Sequence, residues 1–364
     1  MQRQERLSRL KISLVEGIGP RNFLHILEIF ESGENFIEDC PKPGLKNLNK
    51  SLFDKWRRKC DEIDISNFLS QLKKYGIKYL VFGDLEYPHR LRHIHNPPIV
   101  LYYKGFLNNV DFANCISVVG TRRSSDYGEL VTERLVGGLV DYGICVVSGL
   151  AYGIDRISHK VALERKGQTV AVLASSVEKP TPLGNKAIYD QILESGVVLS
   201  EHPPGTDCFP GAFPQRNRIV AGLSMGTLVV EAPKKSGALI SASIAFHENR
   251  EVFAVPSGID QDRSEGANNL IKNQKAKLIT CVEDILEEFP SINFVKKKSS
   301  QRFLNLTKRT GEIIRCIEKG PISEESLYEK FDIHTKDLLA SLTELELKQL
   351  IEKRANGVYY VISK

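Results

Sequence analysis

The pattern of hydrophobic and polar positions changes twice along the 364-residue chain. In residues 1–80, helix-period stretches dominate, and "LSRLKISLVEGIGPRNFLHILEIF" predicts two helices joined by a tight turn at residues 17–20. From about residue 110 to 290, short apolar runs alternate with helical stretches, which predicts a parallel sheet covered on both faces. The predicted strands are "CISVV", "GICVVS", "TVAVLA", "GVVLS", "TLVVEA", "EVFAVP" and "AKLIT".

The third region begins after a polar and basic segment, "VKKKSSQRF", which is typical of a linker. Residues 305–364 predict three helices followed by a strand pair with Gly357 at its turn, the order found in winged-helix domains. The third helix carries Glu344 and Glu346 and only two lysines. This helix is therefore at least as well suited to contact a protein as to contact a DNA groove.

Composition narrows the class of protein. A hydrophobic fraction of 41% and a charged fraction of 26% are ordinary for a globular protein in solution. The apolar runs are strand-sized, so we expect no membrane span. The first residues lack the apolar core of a secretory signal, so we expect no such signal there. Seven scattered cysteines indicate free thiols in a reducing cytoplasm, and a net charge of +5 permits a polyanionic partner.

Residues with anion-binding chemistry follow the predicted strands. Parallel sheets bind ligands beyond the carboxyl ends of their strands. "GTRRSS" (120–125) follows the first strand, "GLAYGID" (149–155) the second, and "PKKSGA" (233–238) the strand "TLVVEA". Glycines, hydroxyls and cations at helix starts are typical of phosphate binding. Each loop alone is also an ordinary strand-to-helix turn, but their convergence on one sheet edge favours a shared polyanion.

The stretch "FPQRNRIVAGLS" (213–224) adds two arginines to that edge. If the helix starts at Pro214 and buries Ile219, Val220 and Leu223, Arg216 lies above the buried face in the first turn. The free N–H groups and the positive end of the helix dipole lie there, so a guanidinium at that place is electrostatically unfavourable unless an anion such as phosphate binds beside it. The alternative is that the arginines pair with carboxylates at the surface.

The sequence shows no constellation of residues typical of catalysis. The loops lack the G-x-G-x-x-G pattern and the Walker lysine, and no cysteine pair has zinc-ligand spacing, so we expect no cofactor and no metal. Asp155, His159 and Glu164 share one predicted helix and are interpreted as capping and surface-pairing residues. We therefore expect the protein not to be an enzyme.

Seven ordered stretches together resemble DNA-processing protein A, the DprA/Smf family of bacteria: "YPHRLRHIHNPPIVLYYKG", "VVGTRRSSDYG", "VVSGLAYGIDRISHKVAL", "LSEHPPGT", "FPQRNRIVAGLS", "VVEAPKKSGALISASIAFHENREVFAVPSG" and "GANNLI". The resemblance implies an α/β fold with an extended Rossmann-like parallel sheet core. It also implies an N-terminal helical domain of the helix-hairpin-helix or SAM-like kind and a C-terminal winged-helix domain. We expect these as residues 1–80 (helical), 81–290 (Rossmann-like), 291–304 (basic linker) and 305–364 (winged helix).

The resemblance also implies a function. Members of the family bind single-stranded DNA without catalysis, form homodimers, and help load the RecA recombinase on incoming strands in natural transformation. Lys235 is expected at the site from the analysis of strand ends. The residues carried over by motif are Gly120, Thr121, Arg122, Ser148, Gly149, Arg216, Asn217, Arg218, Ser236, Gly237 and Ser241.

Two departures from the family pattern change the expected contacts. Tyr152 stands where many members carry lysine or arginine, and a tyrosine offers stacking on a base, worth about 1–3 kcal/mol. In a second motif, Ala174 and Ser176 replace glycines, while Lys179 stays as an expected contact.

The main alternative is an enzyme that acts on nucleotides or nucleoside monophosphates, because related Rossmann-like folds include phosphoribohydrolases. Such enzymes carry a "PGGxGT" turn and an activating glutamate, whereas this chain has "VVEAPKKSGALIS" at that place. Glu231, the nearby carboxylate, is expected to hold an arginine. A regulatory adaptor whose tail binds protein partners is a third possibility.

Overall fold

The computed structural model describes residues 1–42, 50–296, 308–318, 320–331, 334–348, 350–354 and 357–362. The chain divides into two compact units, Met1–Val295 and Lys296–Lys364. Among the described helices, none has both the length and the apolar character needed to cross a membrane.

The first unit is built on one large sheet. Its strands are β1 Lys78–Val81, β2 Val100–Gly105, β3 Cys115–Val119, β4 Cys145–Ser148, β5 Thr169–Val172, β6 Val197–Ser200, β7 Gly226–Val229, β8 Glu251–Ala254 and β9 Lys277–Leu278. They lie in the order β1-β2-β6-β5-β4-β3-β7-β8-β9. Strands β3 to β9 are parallel, whereas β2 runs antiparallel to both β6 and β1. The chain thus moves outward from β3 to β6 and then crosses to β7.

Helices connect these strands and cover the sheet. They are α1 Arg3–Ser13, α2 Pro20–Phe30, α3 Gly33–Ile37, α4 Lys50–Asp61, α5 Ile65–Lys74, α6 His89–Arg92, α7 Asp126–Asp141, α8 Ile154–Glu164, α9 Lys186–Ser195, α10 Ala212–Leu223, α11 Gly237–His247, α12 Glu265–Lys272 and α13 Glu283–Leu286.

Both faces of the sheet are buried, as its apolar strands require. Successive side chains of a strand point to opposite faces. On β3, Cys115 and Val119 join a hydrophobic cluster with α10 and α11, whereas Ile116 and Val118 join another with α7 and α8. The predicted parallel sheet is confirmed, and the seven predicted runs form β3 to β9. Strands β1 and β2 were not predicted, and they extend the sheet beside β6.

The N-terminal helices share a hydrophobic cluster with the sheet. Leu10 of α1, Phe23 of α2 and Trp56 of α4 pack in one cluster with Tyr102 of β2 and Val198 of β6. The expected boundary near residue 80 therefore falls inside the first compact unit, within β1. A helical domain that folds by itself stays a prediction.

The second unit has its own core. Its elements are α14 Lys308–Glu318, β10 Ile322–Ser323, α15 Glu324–Phe331, α16 Thr335–Leu347, β11 Ile351–Lys353 and β12 Val358–Val361, with the strands in the order β10-β12-β11. Ile313, Leu327, Leu342 and Tyr359 pack together between them. Three helices and the strand pair match the expected elements, and their assignment as a winged helix stays a prediction. Most of the expected linker 291–304 lies outside the described residues.

Candidate functional site

The expected site residues lie around the carboxyl ends of four neighbouring strands, β5, β4, β3 and β7. Gly120, Thr121 and Arg122 follow β3, Ser148 ends β4, and Lys235 follows β7. Adjacent strands are about 4.8 Å apart, so this edge is about 14 Å long. The direction of the chain across the sheet reverses between β3 and β7, which is where sheets of this kind bind ligands.

The loop after β3 is held by its backbone and leaves an arginine exposed. The Thr121 N–H donates to the carbonyl of Glu231 at 2.7 Å, and the Thr121 carbonyl accepts from the Ile154 N–H at 3.2 Å. The exposed Arg122 side chain lies with its Cζ 5.0 Å from the centre of the Phe213 ring. Among the residues that the structure describes, no carboxylate pairs with Arg122. This cation is available to a phosphate.

The start of α7 already holds a carboxylate. Glu231 is 2% exposed and accepts hydrogen bonds from the N–H of Ser125 at 2.9 Å and from its Oγ at 2.8 Å. Ser125 is the N-cap of α7, and a Cβ at Gly128 would overlap the Glu231 carboxylate. A negative side chain is stabilised at a helix N-terminus by the free amides and the dipole. The expectation that Glu231 holds an arginine is wrong, because Glu231 fills the anion position of α7 itself.

Arg216 is buried, as the helical wheel predicted, but it does not lie in the first turn. The helix α10 begins at Ala212 and not at Pro214, which places Arg216 in the second turn. Arg216 is 6% exposed, and its Nη1 donates to the carbonyls of Gly149 and Val172, beyond β4 and at the end of β5. The expectation of a first-turn guanidinium facing an anion is corrected, since carbonyls at the strand ends satisfy this side chain.

A buried carboxylate balances the charge of Arg216. Asp155 accepts from the amides of Gly149 at 3.1 Å and Ala151 at 3.4 Å. Burial raises the pKa of Asp155, and the Arg216 guanidinium and these two amides oppose the rise. Burial lowers the pKa of Arg216, and the Asp155 carboxylate opposes that change. The two groups therefore stabilise each other's charged form inside the protein.

His159 lies in the same interior and not at the surface. It is fully buried, and burial together with the nearby Arg216 charge lowers its pKa to about 3. Its Nδ1 is 2.7 Å from Oγ1 of Thr169, and that hydroxyl donates to the carbonyl of Val146 at 2.9 Å. The interpretation of His159 as a surface-pairing residue is wrong.

Asn217 and Arg218 are also engaged within the protein. The Asn217 Oδ1 accepts from Nε of Arg216 at 3.1 Å. Arg218 donates to the Glu201 carboxylate and, at 2.6 Å, to the carbonyl of Asn96. The side chains of the Arg218–Glu201 pair are only 15% and 22% exposed. The hydrogen bonds of residues 216–218 therefore stabilise the loops that follow β4, β5 and β6 and the segment at Asn96.

The loop after β4 begins with residues that pack inside the protein and continues to an exposed tyrosine. Ser148 is buried, and its Oγ donates to the carbonyl of Val118 at 2.7 Å. A Cβ at Gly149 would overlap the Arg216 guanidinium, so packing alone requires glycine there. Tyr152 is 45% exposed and offers a ring on which a base can stack.

Lys179 is paired with an acid of the chain itself. Its Nζ donates to Oδ1 of Asp207 and to the carbonyl of Gly205, both at 2.8 Å. The Lys179 and Asp207 side chains are 40% and 86% exposed. A carboxylate therefore occupies the place at which the sequence analysis expected a phosphate.

The last group lies at the start of α11. Ser236 is the N-cap, and its Oγ accepts from the N–H of Ala238 at 3.2 Å. Lys235 is exposed and, in the part of the chain that the structure describes, has no ion-pair partner. Gly237 is exposed with open space around it, whereas Ser241 is 2% exposed. Lys235 and Gly237 are thus the accessible members of this group.

The donors at the edge are those of an anion-binding site. Exposed cations and loop amides bind phosphates. Within the described ranges, no cluster of three or more His, Cys, Asp or Glu side chains is placed to hold a metal ion. The arrangement suits a flexible polyanion that contacts several loops.

The burial of Asp155 and His159 and the pairing of Asp207 with Lys179 were not predicted from the sequence. A signal existed for the buried Asp155 and His159, because with Ser158 and Ala162 they follow the i, i+3, i+4, i+7 spacing of a buried helix face. No local signal marks Asp207, which reaches Lys179 across 28 positions of sequence.

Comparison with known proteins assigns the family. A family model described as DNA recombination-mediator protein A matches residues 78–290, which contain the large sheet and all the loops of the site. The chain belongs to this family. DNA processing protein DprA from Bacillus subtilis is 39% identical over 225 residues, which cover 62% of this chain and 75% of that protein. The relative from Streptococcus pneumoniae is 35% identical over 268 residues, covering 72% of this chain and 92% of that protein.

Solved structures of the family share the fold. The X-ray structure of DprA from Streptococcus pneumoniae matches with a TM-score of 0.68 and 32% identity, over 78% of this chain and 98% of that chain. A structure of the Helicobacter pylori protein, which describes its single-stranded DNA binding mode, matches with a TM-score of 0.53 and 27% identity. That match covers 59% of this chain and 96% of the Helicobacter chain. The predicted family and the mixed α/β fold with a large parallel sheet are confirmed.

Proposed function

We propose that this protein is a recombination mediator that binds single-stranded DNA along the carboxyl ends of β5, β4, β3 and β7. The observation that carries the proposal is the exposed Arg122, which no carboxylate of the described chain neutralises and which lies where the strand order reverses. Membership of the family and the binding mode described for the Helicobacter pylori protein support it.

The residues of the edge divide into two roles. Arg122 and Lys235 are exposed cations that contact phosphates, and the exposed Tyr152 stacks on a base. Arg216 and Arg218 position the loops, because moving either guanidinium to a phosphate would break its hydrogen bonds to internal acceptors. Stacking on Tyr152 needs an unpaired base, which favours a single strand over a duplex.

Binding of fluorescein-labelled oligo-dT, followed by anisotropy at several KCl concentrations, tests the proposal. Arg122→Gln should weaken binding and reduce the slope of log K against log salt by about 0.7. Tyr152→Leu should cost about 1–3 kcal/mol of binding free energy with little change in slope. Arg134→Gln, which removes an exposed arginine from the middle of α7, is the matched control. Parental affinity and salt slope in Arg122→Gln would reject the proposal.

The family resemblance extends the proposal to homodimer formation, loading of RecA as in natural transformation, a cytoplasmic location and a winged-helix tail. Sedimentation equilibrium measures the dimer, and RecA filament growth on protein-coated single strands measures loading. A strict monomer, or filament growth that this protein does not stimulate, would contradict the corresponding part. We propose no catalytic role, and turnover of a nucleoside monophosphate would overturn that.

A further inference from the structure

Two loops beyond β5 and β6 are joined by contacts between donors and carboxylates. The N–H of Gly205 donates to Oε1 of Glu178 at 2.6 Å, and Oγ of Ser176 lies 2.9 Å from the same oxygen. Lys179 Nζ, one residue further on, donates to Oδ1 of Asp207 at 2.8 Å. An amide, a hydroxyl and an ammonium group are the donors with which proteins bind phosphate. Here two carboxylates of the chain are among their acceptors, and Oγ of Ser176 also lies 3.1 Å from the carbonyl of Thr206.

Gly205 connects the two contacts. Lys179 Nζ also donates to the carbonyl of Gly205 at 2.8 Å, while the N–H of the same residue donates to Glu178. The second oxygen of Glu178, Oε2, is buried and has no hydrogen-bond partner in the described structure. The Glu178 carboxylate therefore does not use all of its hydrogen-bonding capacity.

The contact of Asp207 with Lys179 differs from the other internal acid contacts of the edge in being open to solvent. The Asp207 side chain is 86% exposed, whereas Glu231 is 2% exposed and the Arg218–Glu201 pair is mostly buried. Exposed ion pairs are weak, so a competing anion can replace Asp207. An external anion does not replace the carboxylate of a buried pair in this way, because breaking such a pair leaves an uncompensated charge inside the protein.

We propose that this loop pair is an anion subsite kept occupied by Asp207 and Glu178, and that a backbone phosphate of the bound strand takes it over by displacing Asp207 from Lys179. The inference rests on the proposed function, since the strand supplies the phosphate. Asp207 then acts as a competitor that lowers the affinity of the edge for nucleic acid.

Neutralising Asp207 in the full-length protein tests this competition. Asp207→Asn should bind labelled oligo-dT about 1.5- to 5-fold more tightly, the range expected for release of one exposed ion pair. The slope of log K against log salt should become steeper by up to about 0.7, because Lys179 then neutralises a phosphate without releasing a carboxylate. Asp207→Ser repeats the test with a second replacement that lacks the charge.

A matched control separates the subsite from net charge. Asp141 pairs with Arg165 at 3.1 Å, with side chains 32% and 27% exposed, at the amino edge of the sheet. Asp141→Asn removes one negative charge there and should leave oligo-dT affinity unchanged. Lys179→Met should cost more affinity in the Asp207→Asn background than in the parent, because Lys179 is unpaired only in the former.

The outcomes are distinct. Equal tightening by Asp141→Asn, no tightening by either Asp207 variant, or the same loss from Lys179→Met in both backgrounds overturns the inference. In those cases the proposed function still stands if the parent binds oligo-dT and Arg122→Gln weakens it. A parent that does not bind oligo-dT at low salt rejects the proposed function itself.

Discussion

Replacement of Arg216 by methionine should destabilise the first unit, because this arginine supports the site from inside. Methionine keeps much of the apolar stem and removes the guanidinium. The carbonyls of Gly149 and Val172 then lose the hydrogen-bond donor that Arg216, which is 6% exposed, supplies in the parent. Asp155 also loses the neighbouring positive charge that opposes the rise of its pKa.

The magnitude follows from these losses. A buried carbonyl left without a donor costs about 1–3 kcal/mol, and there are two of them. Removal of one member of a buried charge pair costs about 3–5 kcal/mol. The two figures describe overlapping effects, so we expect the free energy of unfolding to fall by about 3–5 kcal/mol in Arg216→Met.

The loss should depend on pH. Without Arg216 the pKa of Asp155 rises further, so between the unfolded-state value and the raised folded-state value the native state holds a proton that the unfolded state lacks. Stability of the variant then falls as pH rises through that window. The difference from the parent should be smallest in acid and largest near neutral pH.

Urea unfolding followed by tryptophan fluorescence measures this, since the single tryptophan of the chain, Trp56, is 7% exposed and lies in the first unit. Arg156→Met, at an exposed position of α8, should stay within about 0.5 kcal/mol of the parent. Addition of Asp155→Asn should restore part of the loss from Arg216→Met. A loss below about 1 kcal/mol together with abolished DNA binding would show that Arg216 acts on the ligand, and would refute this reasoning.

Two further predictions concern buried polar groups. The Glu5 carboxylate accepts hydrogen bonds from the amides of Gly33 at 3.0 Å and Glu34 at 2.9 Å at the start of α3. Glu5→Gln should therefore lower the free energy of unfolding by about 1–2 kcal/mol. An unchanged urea midpoint would contradict this. His159 has its pKa lowered from 6.5 to about 3, so the unfolded chain binds a proton that the native state does not, and stability declines as pH falls through that range. His159→Gln should show a shallower decline in unfolding free energy over the same range, and parallel curves for parent and variant would argue against it.

Much of the fold was predictable because it follows from local pattern. The runs that became β3 to β9 are continuously apolar, and a strand buried on both faces needs that pattern. Strand β2 joins the sheet through antiparallel pairing with β6, a long-range contact that a local pattern does not encode, and β1 joins through antiparallel pairing with β2.

The site was predictable in its place and less so in its chemistry. The carboxyl ends of parallel strands meet at one edge, so loops that follow strands had to converge there. Whether each cation is neutralised depended on acids remote in sequence. Glu201 pairs with Arg218 and Asp207 with Lys179, whereas no acid among the described residues pairs with Arg122. The helix α10 starts two residues before the predicted Pro214, and the surroundings of Arg216 differ accordingly from the prediction.

By itself the sequence determined the family, the parallel sheet, and the edge at which cations and loop amides gather. These properties depend on apolar periodicity and on motif spacing, which are local. The tertiary structure alone decided which cations face solvent and which are neutralised within the chain. Charge pairing depends on distance and burial, and folding sets both through contacts between segments far apart along the chain.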